Sequence, residues 1–214
     1  MKPTPPYDVS VFINCPFDPP YEPMMRALTF GVYDCGFIPR SALEEDNAGE
    51  VRYQKIVCMI EECRFGIHDI SHVKLDRYTR LPRFNMPLEL GLFLGATAFG
   101  NDRNRGKQCL ILDRDGFRYQ KFCSDISGQD IRAHSAKPTT AISAVRNWLS
   151  ISAVENEVVV PSGSLIAERY KLFENELPEW CRELQLVPSE LTYSDQSLLM
   201  ERWLKAHPWS TVTP

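Results

Sequence analysis

Short apolar runs alternate with segments of helical periodicity through the first two thirds of the chain, and this alternation limits the folds that are open to it. The apolar runs predict buried strands at 9–14, 37–39, 65–70 and 107–113. Between them, apolar residues three or four positions apart predict helices at 21–34, 51–62, around Glu89 and at 139–149. Strands that alternate with helices form a mainly parallel sheet covered on both faces, so the sequence predicts a doubly wound α/β domain.

The character of the chain changes near residue 150, which divides it into two predicted units. Residues 1–150 form the predicted α/β domain, and residues 151–214 form a linker and a helical extension. Within the extension, 154–163 is typical of a linker or a short strand, and Pro178 and Pro188 are expected to interrupt the helical spacing. Three tryptophans of this part are candidates for burial against the core or a second subunit: Trp180, Trp203 and Trp209.

Charge and hydropathy exclude several classes of function. With 214 residues, a net charge of -4 and a pI of about 5.6, the chain is not expected to bind nucleic acid through a general basic field. It has no apolar stretch of the roughly 18 to 20 residues that a membrane span needs, and its first residues lack the apolar core of a signal peptide. We therefore expect a cytoplasmic protein without membrane contact that binds small molecules.

The cysteine and histidine pattern favours core residues over a metal centre. Seven cysteines are scattered through mostly apolar runs, which predicts reduced thiols and no disulfide framework. Cys58, Cys63, His68 and His72 stand close in sequence, but their spacing differs from the short knuckles of zinc sites. We predict no metal site, and we interpret His68 and His134 as structural side chains.

Polar segments follow each of the first three predicted strands, where ligands bind in parallel sheets. These segments are residues 14–18, 40–47 and 69–83, and the start of the Glu89 helix adds a fourth. We predict that all four share one edge of the sheet and contact a small-molecule substrate. The candidate substrate-binding residues are Phe12, Asn14, Cys15, Pro16, Phe17, Asp18, Arg40, Asp46, Arg83, Asn85 and Met86.

Glu89 is the only formal charge among the eighteen residues between Arg83 and Asp102. Burial of an ionised carboxyl group without partners costs several kcal/mol. Interaction with the positive end of a helix stabilises such a charge by only about 0.3 to 1 kcal/mol. Two interpretations stay open: Glu89 lies at the helix start for this small gain, or it carries chemistry.

The chemistry open to such a carboxylate is nucleophilic attack. In the first turn of a helix, with apolar walls and an open side, it can attack an electrophilic carbon and form a covalent intermediate. The anomeric carbon of a sugar suits this reaction because cleavage passes through an oxocarbenium-like state that a negative charge stabilises. Asp69, at the end of the third predicted strand, is the first candidate to help the leaving group depart, and Asp18 and Asp46 follow.

The sequence Glu89-Leu90-Gly91 opens an apolar helix after a strand that ends in Asp69, and this arrangement resembles the nucleoside 2-deoxyribosyltransferase family. The run at 9–14 is similar to the first strand of TIR (Toll/interleukin-receptor) domains. Both resemblances lie within 9–113 and imply a Rossmann-like sheet with the strand order of flavodoxins and TIR domains. The first implies that Glu89 captures the sugar, and the second implies cleavage of NAD by a helix-borne glutamate. Relatives in the first family complete their sites with neighbouring subunits, which implies a homo-oligomer.

The residues just before Glu89 depart from the deoxyribosyltransferase pattern. Arg83-Phe84-Asn85-Met86-Pro87 stands where that family usually has an acidic residue or a Gly-Thr-type turn. Arg83, together with Arg40 and Arg80, could hold a phosphate through bidentate contacts, which favours a nucleotide or a dinucleotide as substrate.

Two functions are therefore expected from different classes. The first is an N-glycosidase or transferase that acts on a nucleotide or on NAD through Glu89, with NAD as a substrate and no bound cofactor. The second is a non-catalytic TIR-like module for nucleotide sensing or self-association. The position of Asp69 separates the substrates, because nicotinamide departs without a proton whereas adenine or thymine departs better with acid assistance.

Overall fold

The computed structural model describes residues 5–72, 83–155 and 158–209, and it contains one sheet of five parallel strands. Along the sheet the strands follow the order β2-β1-β3-β4-β5. They are β1 (Ser10–Asn14), β2 (Ile38–Arg40), β3 (Phe65–Asp69), β4 (Gln108–Asp113) and β5 (Ile131–Ala133). The doubly wound, parallel α/β fold predicted from the sequence is confirmed. β5 was not predicted, because its three residues lie between a polar loop and a helix.

Seven α-helices connect the strands or extend the chain among the described residues. They are α1 (Glu22–Asp34), α2 (Arg52–Glu62), α3 (Asn85–Phe99), α4 (Asp102–Arg105), α5 (Pro138–Glu155), α6 (Gly163–Glu183) and α7 (Tyr193–Ala206). The chain also has short 3-10 helices at Tyr7–Val9, Pro19–Tyr21, Arg118–Lys121, Ser124–Ile126 and Pro188–Glu190. None of the helices in the described residues is both long enough and apolar enough to cross a membrane.

Different helices pack on the two faces of the sheet. Side chains alternate across a strand, so Val11 and Ile13 of β1 pack in one cluster with α1, α5, α6 and α7. Phe12 points to the opposite face, where it packs against α2 and against Phe93 of α3. Leu90 of α3 belongs to a third, smaller cluster with Ile70 and Ile111. The face that carries α3 therefore has the smaller apolar clusters.

The C-terminal helices pack on α1. Trp203 of α7 is fully buried and lies among the rings of Phe30, Phe173 and, in a stacked pair, His207. The expected interruption at Pro178 is wrong, because α6 continues through it. Its buried stripe continues as Phe173, Leu177 and Cys181 on both sides of the proline, and this packing offsets the backbone hydrogen bond that proline cannot donate.

Two further predictions concern the interruption at Pro188 and the end of the helix at 139–149. The interruption at Pro188 is confirmed, since a short 3-10 helix there separates α6 from α7. The helix predicted at 139–149 is longer than expected and ends at Glu155, because Trp148, Leu149 and Ala153 continue its buried side.

The strand order creates a crevice between β1 and β3. From β1 the chain crosses to β2 on one side, and from β3 it crosses to β4 on the other side. Connections that leave neighbouring strands in opposite directions leave a gap at their carboxyl ends, and ligands of doubly wound sheets bind there. Asn14 and Asp69 end these two strands.

Candidate active site

Glu89 is a buried carboxyl group with no hydrogen-bond donor among the described residues. Its side chain belongs to α3, and the residue is only 7% exposed. Burial raises the pKa of Glu89 to about 7, and the positive charge of Arg52 acts in the opposite direction. At neutral pH the carboxyl group is therefore divided between its neutral and its ionised form.

The expectation that Glu89 lies in the first turn of its helix is wrong. α3 begins at Asn85, which places Glu89 fifth in the helix, in its second turn. Pro87 allows this early start, because the first N–H groups of a helix have no partner within it and proline costs nothing there. The unpaired N–H groups of the helix end are thus not at Glu89, which weakens the interpretation that it only compensates the helix dipole.

Asn14 anchors the start of α3 at the carboxyl end of β1. Its Nδ2 donates a hydrogen bond of 2.9 Å to the carbonyl oxygen of Met86 and lies 3.1 Å from Nδ1 of His68. Burial lowers the pKa of His68 to about 3, so this ring is neutral and its Nδ1 accepts from Asn14. The predicted residues Asn14 and Met86 thus hold the helix that carries Glu89.

The loop after β1 contributes a thiol that lies between two acidic residues. Cys15 and Pro16 are buried, whereas Phe17 and Asp18 are partly exposed. The pKa of the Cys15 thiol is raised well above its ordinary value, first by burial and then by the negative charges of Asp69 and Glu89. Cys15 therefore stays protonated, and it lies near both acidic side chains.

Asp69 is fully buried, and both of its oxygens accept hydrogen bonds. Oδ1 accepts from the backbone N–H of Ser71 at 2.8 Å, and Oδ2 accepts from the hydroxyl group of Tyr21. Burial and the charge of Asp69 raise the pKa of Tyr21 well above its ordinary value, so Tyr21 remains a donor. Asp69 is consequently held in place by donors on both oxygens.

His134 adds an imidazole ring beside Asp69. Its Nε2 lies 3.0 Å from Oδ2 of Asp69, although the alignment is not that of a hydrogen bond. Its Nδ1 accepts from the backbone N–H of Ala136 at 3.0 Å, so the ring proton is on Nε2, the nitrogen on the side of Asp69.

A cavity of about 390 Å³ lies against Tyr21 and His134 at this edge of the sheet. It has the size of a small-molecule pocket. The remaining residues that line it are Pro20, Pro23, Met24, Ser71, His72, Arg114, Ala136 and Pro138.

Asp18 connects the loop after β1 with the segment before α3. It pairs with Nη1 of Arg83 at 2.7 Å, and Nε2 of His72 lies 3.4 Å from its other oxygen. Asn85, which begins α3, is exposed. Arg80, the third arginine expected at a phosphate, lies outside the described residues.

Three predicted site residues lie apart from this group. Phe12 is fully buried in the cluster with α2. Arg40 pairs with Glu44 at 2.8 Å and with Glu62 at 3.2 Å. Glu62 is the last residue of α2, roughly 15 Å along the helix from its first residue. Asp46 is exposed in the loop after β2.

The sequence interpretation missed Arg52, which is the first residue of α2. Its guanidinium group lies 5.7 Å from the centre of the Phe17 ring, and its charge acts on Glu89. One signal was available in the sequence, because a cation at the start of a helix opposes the helix dipole and needs another reason to be there. Tyr21 and His134 were also missed as partners of Asp69.

No group of three or more His, Cys, Asp or Glu side chains in the described part of the chain is arranged to hold a metal ion. All seven cysteines are free thiols. Comparison of the chain with protein-family models, with curated proteins and with solved structures found no match.

Proposed function

We propose that the protein cleaves or transfers at the N-glycosidic bond of a nucleotide or of NAD, with Glu89 as nucleophile. The observation that carries the proposal is that Glu89 is buried yet receives no hydrogen bond from the described residues. A structural carboxylate at that depth would be paired, since burial of an unpaired charge costs several kcal/mol. A carboxylate that must attack carbon needs a free lone pair, and this arrangement provides one.

The proposed reaction has two steps. A carboxylate oxygen of Glu89 forms a bond to C1′ of the sugar while the bond from C1′ to the base nitrogen breaks, and the electron pair leaves with the base. Water or a second base then attacks C1′ and releases the carboxylate. Water gives hydrolysis, and its proton passes to solvent, whereas a second base gives transfer.

The surroundings of Asp69 favour a leaving group that needs no proton. Both Asp69 oxygens accept hydrogen bonds, from Ser71 and from Tyr21, which suits an acceptor that is held in place more than an acid that donates to a leaving base. Nicotinamide departs from a cationic nitrogen as a neutral molecule, while adenine departs better with acid assistance. Among the nucleotide-type substrates, NAD and related nicotinamide nucleotides are therefore the preferred candidates.

The experiment that tests the proposal measures free base released from NAD, nucleotides and nucleosides by chromatography. Glu89→Gln is expected to lower turnover of the active substrate by about 10³-fold or more, because the amide cannot act as the nucleophile. The matched control is Glu61→Gln, which changes an exposed glutamate of α2 and leaves turnover unchanged. Turnover of Glu89→Gln close to that of the unaltered protein would remove Glu89 from the mechanism.

A second candidate function is non-catalytic self-association, and the outer side of α3 favours it. Leu88 and Phe99 are 60% and 90% exposed, and Phe84 just before the helix is 54% exposed. Apolar side chains of this size on one surface are typical of contact sites. If no substrate in the panel releases base while Leu88→Asp abolishes self-association in sedimentation experiments, this second function gains over catalysis.

A further inference from the structure

Three arginines that the sequence or the structure brings into question as phosphate ligands differ in what they bind. Arg83 is held by Asp18 at 2.7 Å, and Arg40 is held by Glu44 and Glu62. Arg52 is exposed and has no hydrogen bond or ion pair with any residue in the described ranges. Of these three cations, Arg52 is the one whose donors remain available to a ligand.

The position of Arg52 is unfavourable for the fold alone. It is the first residue of α2, where the helix dipole repels a positive charge. The residue before it, Val51, offers no side-chain cap to the N–H groups of the first turn. A bound anion would satisfy both the guanidinium group and these N–H groups.

Two neighbours connect Arg52 with the proposed chemistry. Its guanidinium group lies 5.7 Å from the centre of the Phe17 ring, a cation–π distance that limits how the side chain can turn. Glu89, more than nine-tenths buried and without a hydrogen bond from the described residues, feels the charge of Arg52. Arg52 at the start of α2, Phe17 in the loop after β1 and the start of α3, which Asn14 anchors, thus all lie at the carboxyl edge of the sheet.

We infer that Arg52 binds the phosphate on the 5′ oxygen of the sugar that Glu89 attacks, so the substrate is a 5′-phosphorylated nucleoside, free or within a dinucleotide. The inference rests on the proposed function, because Glu89 defines where the sugar lies. The planar guanidinium group can hold two phosphate oxygens at once. The start of α2 adds its unpaired N–H groups, and the Phe17 ring lies within cation–π distance of the guanidinium group.

The test compares three nicotinamide compounds that differ only on the 5′ side: the riboside, the mononucleotide and NAD. Affinity is measured by calorimetry on the Glu89→Gln variant, which binds without turnover. Adding Arg52→Gln is expected to weaken binding of the mononucleotide and of NAD by about 10- to 100-fold and to leave the riboside within about 3-fold. The mononucleotide and NAD separate a free nucleotide from a dinucleotide.

The control variant is Arg105→Gln, which removes an exposed arginine on α4 and is expected to change none of the three affinities. An equal loss for all three compounds, or no loss for the phosphorylated ones, overturns the role of Arg52. Failure of the proposed function looks different: base release then continues in Glu89→Gln, whatever Arg52 contributes to phosphate binding.

Turnover as a function of pH gives a second readout. Arg52 lowers the pKa of Glu89 against the effect of burial, so Arg52→Gln is expected to move the midpoint of the activity profile above about 7. Arg52→Lys keeps the charge and should restore the midpoint, while losing the bidentate contact to phosphate. A profile that does not move in Arg52→Gln places the guanidinium group away from the reacting carboxylate and contradicts the inference.

Discussion

Asp34 and Glu89 are both buried carboxyl groups on helices, and they lie on opposite faces of the sheet. Asp34 ends α1, where Arg169 donates to its two oxygens at 3.0 and 3.2 Å and Trp209 donates at 3.0 Å. Glu89 in α3 has no such donor within the described residues. Burial acts on both groups and raises both pKa values, but only Asp34 has a cation in direct contact.

The two groups thus differ in their partners more than in their depth: Asp34 is paired, whereas Glu89 keeps the free lone pair that the proposed nucleophile needs. The three donors on Asp34 stabilise its ionised form and join α1 to the C-terminal helices. The Glu89 carboxyl group forms no hydrogen bond to another element within 5–72, 83–155 and 158–209, and its ionised form is destabilised by burial. A fold that keeps such a group gives up stability for it, as is common at catalytic sites.

The largest change in stability is expected when the paired carboxylate, Asp34, loses its partner. Arg169→Met leaves Asp34 buried with Trp209 alone, and the free energy of unfolding at pH 7 should fall by about 3 to 5 kcal/mol. Urea unfolding followed by circular dichroism measures this change. Arg182→Met is the control on the same helix, because Arg182 is 75% exposed and its pair with Glu179 is 3.8 Å long. A loss no larger than that of the control would make the pairing of Asp34 irrelevant to stability.

Replacement of the unpaired carboxyl group, Glu89, should change the free energy of unfolding in the opposite direction. The folded protein keeps a proton on Glu89 up to pH about 7, whereas an unfolded glutamate loses it near 4.5, so ionisation reduces stability as the pH rises between these values. Glu89→Gln removes this cost and should raise the free energy of unfolding by about 3 kcal/mol at pH 8. At pH 4 the difference should disappear, because both forms are then neutral.

The same urea titrations at pH 4 and pH 8 test this reversal, with Glu61→Gln as the exposed control. Destabilisation by Glu89→Gln at pH 8 would mean that the ionised carboxylate has a partner that stabilises it.

The elements that the sequence predicted share one property, which is a local pattern. β1, β3 and β4 are runs of apolar residues, and α1 and α2 repeat apolar residues with helical spacing. β5 has a charged residue, Arg132, at its centre and follows a polar loop, so no apolar run marks it, and it is defined by pairing with β4. The interruption expected at Pro178 failed because packing of α6 overrides a local preference.

The candidate site could be predicted only in part, because some of its contacts leave no local pattern in the sequence. A lone charge in an apolar stretch indicated that Glu89 is unusual, and its burial agrees with that. The hydroxyl group that binds Asp69 comes from Tyr21, 48 positions earlier, and the charge that acts on Glu89 comes from Arg52 on another helix. Contacts of this kind arise from tertiary packing and leave no periodic trace in the sequence.

The most direct test of the central claim is a titration of the Glu89 carboxyl carbon by NMR, in protein labelled with carbon-13 at glutamate side chains. The signal of Glu89 is assigned by its loss in Glu89→Gln. A free, buried carboxyl group that feels the charge of Arg52 without a hydrogen bond to it should titrate with a pKa of about 7. A midpoint near the ordinary glutamate value of about 4.3 would show that the group is solvated or paired, and would contradict the account of Glu89 as a free nucleophile.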